Sequence, residues 1–301
     1  VAIAGGVAPD IALIDAGVVS TNLAYSGSII PIDQFVDRSS LDDLRSKFYP
    51  PAWEAFEYKG QTYGLRMTSN NILYAYNLDW LQSRGLAIPS DDWLWQDWVE
   101  YAQRLSDPEN ERWGTIPADS VWTWLPFLWQ NGGDFLNEAR TEARFHSAAG
   151  VEALELQVEL VRDYQAAKPL GAPGGFGDER VAMTIAGPWN LRPWRDSLGF
   201  DYGLVFMPGN KERASNLGGE GFAILAQSTN PAEAFKLIEH LTTTPEIAIG
   251  FARTWWTIPP LREAAVNPEA WPDPRLEVFV RQMEHARSRP YVPNWEQVRT
   301  I

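Results

Sequence analysis

Val181-Ala-Met-Thr-Ile-Ala-Gly-Pro-Trp189-Asn190 reads as a buried strand that enters a tight turn and opens a helix. Val181 to Ile185 has strand character, Gly187 lets the backbone turn, and Pro188 suits a first helical turn, where its missing N–H costs nothing. Trp189 is thereby fixed on rigid structure. Its flat apolar ring with a polar edge suits stacking on the C–H face of a sugar or on an aromatic ligand, and it equally suits a core position. Spacing alone leaves both open.

Working outward, strand and helix signals alternate along the chain. Ile11 to Asp15 reads as a short strand followed by a helix through Ala24 and a turn at Ser26-Gly27. Thr62 to Arg66 and Ile72 to Asn77 read as strands around a polar turn, Thr68 to Asn71, with Asn77 capping a helix that ends by Gly85. Asp91 and Asp92 mark the start of a helix over 93–105, and Trp113 to Ile116 reads as a strand before an aromatic helix, Val121 to Gln130, closed by Asn131-Gly-Gly133. Ala148 to Tyr164 reads as an amphipathic helix whose apolar stripe is Val151, Leu154, Val158 and Val161. Lys168 to Gly177 reads as a loop, Tyr202 to Phe206 and Gly221 to Ala226 as strands around a polar loop, Pro208 to Asn216, and Asn230-Pro231 as the start of a helix ending near Thr242. The alternation favours an α/β architecture.

At 301 residues the chain exceeds the size at which one core keeps growing, so two lobes with a cleft are expected. A net charge of −14 argues against a nucleic-acid partner and against anionic lipid. With no cysteine, disulfides, thiol nucleophiles and Cys-based metal sites are excluded. His146, His240 and His285 lack metal-like spacing, and no phosphate loop, dinucleotide fingerprint or nucleophile elbow is present. Fifteen tryptophans are more than a core of this size requires, and Trp113, Trp122, Trp189, Trp255, Trp256 and Trp295 sit in polar or Gly/Pro-rich surroundings, so some of them are expected to face a ligand. The start, Val1-Ala-Ile-Ala-Gly-Gly6, has neither an initiator methionine nor the pattern of a signal peptide, and the expectation is a piece of a longer protein.

Individual polar residues carry two readings each. Asp15, at a strand end, suits ligand contact or a helix cap; Asn70 suits ligand contact or turn formation. Glu220, between Gly219 and Gly221, suits ligand contact or a salt bridge.

Six segments, in order, resemble the extracellular solute-binding proteins of carbohydrate ABC transporters, the maltose-binding-protein-like group. They are Ala8-Pro-Asp-Ile-Ala-Leu-Ile-Asp15, Gly64-Leu-Arg66, Leu73-Tyr-Ala-Tyr-Asn77, Phe127-Leu-Trp-Gln-Asn-Gly-Gly-Asp134, Val181 to Trp189, and Leu217-Gly-Gly-Glu-Gly-Phe-Ala-Ile224. The resemblance implies an α/β, two-lobed periplasmic-binding-protein fold (type II) with a multi-strand hinge. Residues 1–70 and 216–257 fall in lobe 1, and 71–215 and 258–301 in lobe 2. N- and C-terminal elements of the family pattern are missing from the sequence. The resemblance further implies reversible binding of a mono-, di- or oligosaccharide in the cleft and its delivery to the transmembrane subunits of a permease. Asp15, Asn70, Trp122 (less clearly Trp124), Trp189, Gly219, Glu220, Trp255, Trp295 and Arg299 are the implied contacts. Where many members carry tryptophan after the two glycines, this chain has Glu220, which suits a hydrophilic sugar such as trehalose or maltose.

No cofactor, metal or nucleic acid is expected, and a monomer in the periplasm or outside the cell, lipid-anchored through a segment outside this sequence, completes the expectation. Two alternatives stay open. One is a glycoside hydrolase or lyase using paired carboxylates in a Trp-lined cleft. The other is a binder of a non-sugar or phosphorylated solute, for which Arg66, Arg192 and Arg299 are available.

Overall fold

The computed structural model describes residues 5–293 and 295–298. The chain divides into two units, one of residues 1–70, 217–283 and 287–301, the other of residues 71–216 and 284–286. It passes between them at Asn70/Asn71, at Asn216/Leu217 and on both sides of Glu284–Ala286. The strands Asn70–Asn71, Ser215–Gly218 and Ala286–Ser288 carry three of these passages, which makes the connection multi-stranded.

In the first unit the central strand is Glu220–Leu225. Ile11–Asp15 runs antiparallel along one edge, from Ile11 opposite Ile224 to Asp15 opposite Glu220. Ile29–Ile30 pairs at one end of the other edge and Leu65–Arg66 at its other end. Alternation sends successive side chains to opposite faces. Ile224 and Leu65 enter a core with Phe48, Trp53, Phe235 and Ile238, whereas Ala223 and Leu225 enter a second core with Phe56, Ala24 and Tyr291. The helices Pro231–Thr243 and Pro245–Trp255 each place proline in the first turn, and Phe235, Ile238 and Ala248 on them line the first core.

The second unit is built on Leu73–Asn77, every residue of which is buried, between antiparallel Met183–Ala186 and Tyr202–Val205. Its core is aromatic. Trp98 lies 5.4 Å from Tyr74 and 5.2 Å from Phe127, ring centre to ring centre. Beside them, Trp93 Nε1 donates to the Phe206 carbonyl (2.7 Å) and Trp95 Nε1 to Gln130 Oε1 (2.7 Å).

Several expectations change. Residues 258–283 and 287–301 belong with the first unit, not the second, because Ser69 bridges Ile258 and Phe48 bridges Leu261 in that unit. Thr62 to Arg66 is two strands, since Gln61–Thr62 pairs with Glu57–Tyr58 while Leu65–Arg66 pairs with the central strand. Asn70–Asn71 is strand rather than turn, and Ser215–Gly218 is strand rather than loop. The helix expected from residue 93 starts at Trp95, where Asp97 Oδ2 accepts the Leu94 N–H (2.8 Å). Trp113 to Ile116 makes isolated bridges from Trp113 and Thr115.

The helix Ala148–Arg162 forms, but of the stripe read from its sequence only Val161 packs against the core. Val151, Leu154 and Val158 are exposed, and the buried residues are Gly150, Ala153, Gln157 and Leu160. Close approach decided the face: an added Cβ at Gly150 would lie 3.3 Å from Leu128 Cδ1, and Gln157 Oε1 accepts the Ala118 N–H (2.9 Å). Leu160→Ala is expected to cost about 2–5 kcal/mol in urea unfolding. Leu154→Ser should stay within about 0.5 kcal/mol; the opposite ranking would overturn the buried face.

Candidate functional site

The first unit gathers polar groups where its two longest strands end together. The register sets Asp15 directly opposite Glu220, so both carboxylates leave the same face of the sheet. Like charges in that position repel by up to about 1 kcal/mol unless neighbours offset them. Asp15 accepts from Arg289, Nη2 to Oδ1 3.2 Å and to Oδ2 3.3 Å. Glu220 Oε2 accepts from Thr68 Oγ1 (2.6 Å), and the Glu220 carbonyl takes the N–H groups of Met67 and Thr68. Both carboxylates keep part of their surface open.

The helix cap and the salt bridge raised from sequence do not form among the described residues. Asp15 does not cap the following helix, whose N-terminal Gly17 N–H is taken by Ser20 Oγ (2.8 Å) instead. Glu220 makes no ion pair among the described residues; its partner is a hydroxyl. Gly219 is what permits this corner. Its φ of +130° is unfavourable for any residue with a Cβ, and an added Cβ would collide with the Thr68 carbonyl.

In the second unit, Trp189 stands in the first turn of the helix Pro188–Ser197. Asn190 Oδ1 accepts the Gly187 N–H (2.9 Å) and fixes the turn. The six-membered ring of Trp189 folds back over Gly187, in space that any Cβ there would fill. The side chain is nevertheless 47% exposed, so the core reading fails and a held, open aromatic face remains. Trp122 is half-buried at the start of the helix Val121–Gln130, where its carbonyl accepts from Asn216 Nδ2 (2.8 Å). Trp124 beside it is half-buried as well.

The remaining candidates divide. Asn70 is half-buried on its strand, and Trp255 ends its helix 42% exposed with its ring edge-on to Phe251. Trp256 is buried with φ +55°, a left-handed conformation that a bulky residue adopts at a cost. Trp113 and Trp295 are buried too, and Trp295, at 2% exposure, presents no face to a ligand. Arg299 lies outside the described residues. Of the arginines available for a phosphate, Arg66 is buried at 1% exposure and Arg192 is exposed on the Trp189 helix. Among the described residues no group of His, Asp and Glu could hold a metal ion, and no helix is long and apolar enough to cross a membrane.

Sequence reasoning missed Arg289 and Thr68. Arg289 lies 274 positions from Asp15, and nothing local marks it. Thr68 was read as part of a turn, and only the strand register brings it to Glu220.

Residues 1–278 match the pattern of the bacterial extracellular solute-binding protein family. The maltotriose-binding protein of Pyrococcus abyssi is 26% identical over 278 residues, which is 90% of this chain and 59% of that protein, so the chain spans under two thirds of that relative's length. An ABC substrate-binding protein of Listeria monocytogenes, solved in complex with cycloalternan, superposes with a TM-score of 0.83 at 25% identity, covering 99% of this chain and 79% of that one. The cyclic α-maltosyl-1,6-maltose binding protein of Arthrobacter globiformis, at 24% identity, shares the fold with a TM-score of 0.86 over 99% of this chain and 78% of its own.

Gly219→Ala should lower stability by about 1–3 kcal/mol through backbone strain and collision with Thr68. Gly250→Ala, in a helix with open space around it, should instead be neutral or stabilise by up to about 1 kcal/mol. Denaturant midpoints of the two variants check the pair, and equal effects would remove Gly219 from its role in the corner.

Proposed function

Because the chain belongs to the bacterial extracellular solute-binding protein family, we propose that it is the binding component of an ABC importer that takes up a carbohydrate reversibly and presents it to the permease. The observation that carries the reading is Trp189, an aromatic face locked by Gly187 and Asn190 yet left half open. A ring held in place before the ligand arrives loses little entropy on binding, which suits stacking on the apolar face of a sugar. The open carboxylate surfaces of Asp15 and Glu220 supply acceptors for hydroxyl groups. Asn70, Trp122 and Trp255 are further contacts in this reading, and Gly219 acts through the backbone.

The ligand class is a neutral di- or oligosaccharide of the malto type, by analogy with the relative named for maltotriose. Binding shifts the population toward the form that the permease recognises. No bond is broken. The protein works as a monomer outside the cytoplasmic membrane, without a cofactor, metal or nucleic acid.

Titration calorimetry with glucose, trehalose, maltose and maltotriose tests the proposal. Heat of binding is expected with at least one of them, and Trp189→Ala should weaken it by about 30-fold, the loss typical of a central aromatic contact. The sugar should be recovered intact after incubation. No heat with any sugar, an unchanged affinity in the variant, or cleavage of the ligand would each overturn the reading.

A further inference from the structure

Arg66 is more deeply buried than any other charged side chain among the described residues, and no carboxylate touches it. Its Nε donates to the Ala52 carbonyl (3.2 Å) and its Nη1 to the Gly218 carbonyl, while Nη2 is buried without a hydrogen-bond partner. A guanidinium stays charged at any ordinary pH, so burial cannot be relieved by losing the proton. Something must offset that charge at a distance.

The strand register sets two carboxylates one position along from it. Arg66 is paired with Gly221, one residue along from Glu220, so it leaves the face of the sheet opposite to Asp15 and Glu220. It shares that face with Phe56, Ala223 and Tyr291. Burial works against its charge most strongly; among its neighbours Tyr291, Asp15 and Glu220 favour the cationic form and Arg289 opposes it. From the carboxylates' side the need is reciprocal. Arg289 meets Asp15, but Glu220 has only the neutral hydroxyl of Thr68.

We propose that Arg66 is a positioning and specificity-determining residue, the buried counter-charge behind the Asp15–Glu220 pair, whose Gly218 bond fixes the corner presenting Glu220. Two carboxylates and two guanidiniums then leave this corner with no net charge. A neutral sugar meets acceptors in fixed positions, and neither a cationic nor a phosphorylated solute gains from the local field. The ligand part of this inference rests on the proposed sugar binding; the electrostatic part does not.

The test begins without ligand. Urea unfolding at about pH 8, above the ordinary carboxylate range, is measured for Glu220→Gln in the wild-type background and in Arg66→Met. Neutralising Glu220 should destabilise the wild type, because Arg66 loses a counter-charge, and stabilise Arg66→Met, because only like-charge repulsion is then removed. The same shift in both backgrounds is what a merely structural arginine gives, and it would overturn the proposal. Should Arg66→Met fail to fold, Asp15→Asn and Glu220→Gln in the wild type still decide: stabilisation by both would sink it. With maltotriose as the probe, Arg66→Lys should keep the wild-type preference for neutral over cationic amino sugars, and Arg66→Met or Arg66→Gln should shift that preference by about tenfold toward the amino sugar. An unchanged preference overturns the specificity role. Absence of any sugar binding by the wild type counts against the proposed function, and the sign reversal then judges Arg66 alone.

Discussion

The register that sets Asp15 opposite Glu220 is the constraint on which the first unit depends. Side chains in a strand alternate, so a slip of one residue would exchange every inward position of Ile11–Asp15 for an outward one. The two cores on either face of Glu220–Leu225 would then be fed by the wrong residues. The same register decides the chemistry at the strand ends. It sets two carboxylates on one face and a guanidinium on the other, and it brings Thr68 up to Glu220. Packing and polar geometry are therefore one choice, made by a single alignment of strands.

The second unit solves a different problem with aromatic residues. Trp93, Trp95 and Trp98 cluster with Tyr74 and Phe127 around a fully buried strand, and two of the indole N–H groups find acceptors. Part of the surplus of tryptophan is thus spent on this core. Trp189 stands apart. It lies over a glycine, half open, on a helix whose first turn is closed by its own Asn190.

What the sequence made legible was local. Strands ending at Asp15 and Asn77, the cap by Asn77 and the Gly187-Pro188-Trp189 turn follow from short-range rules, and Asn77 Oδ1 does accept the Trp80 N–H. The helix Ala148–Arg162 shows where such rules stop. Its bulky residues suggested one face, but Gly150, Ala153 and Gln157 settled another, because small residues and a glutamine that accepts a backbone N–H allow closer packing than bulk does. The site shows the same division. Asp15, Glu220 and Trp189 carry local marks, whereas Arg289, Thr68 and the depth of Arg66 arise only when distant segments meet. Trp295 illustrates the converse error, an aromatic in a polar stretch that is simply core.

The discontinuity of the first unit has a consequence for biosynthesis. Ile11–Asp15 emerges from the ribosome roughly two hundred residues before the strand it pairs with, and the second unit lies almost wholly in between. At about 5–20 residues per second, the early strand waits on the order of 10–40 s with its pairing edge unmet. An apolar strand in that condition is open to pairing with other chains. The intervening unit, continuous from Asn71 to Asn216, has all three strands of its own sheet in hand before Glu220 is made. Assembly is thus ordered by the genetic sequence itself: the inserted unit can fold early, and the unit that holds both chain ends must be kept soluble until its central strand arrives.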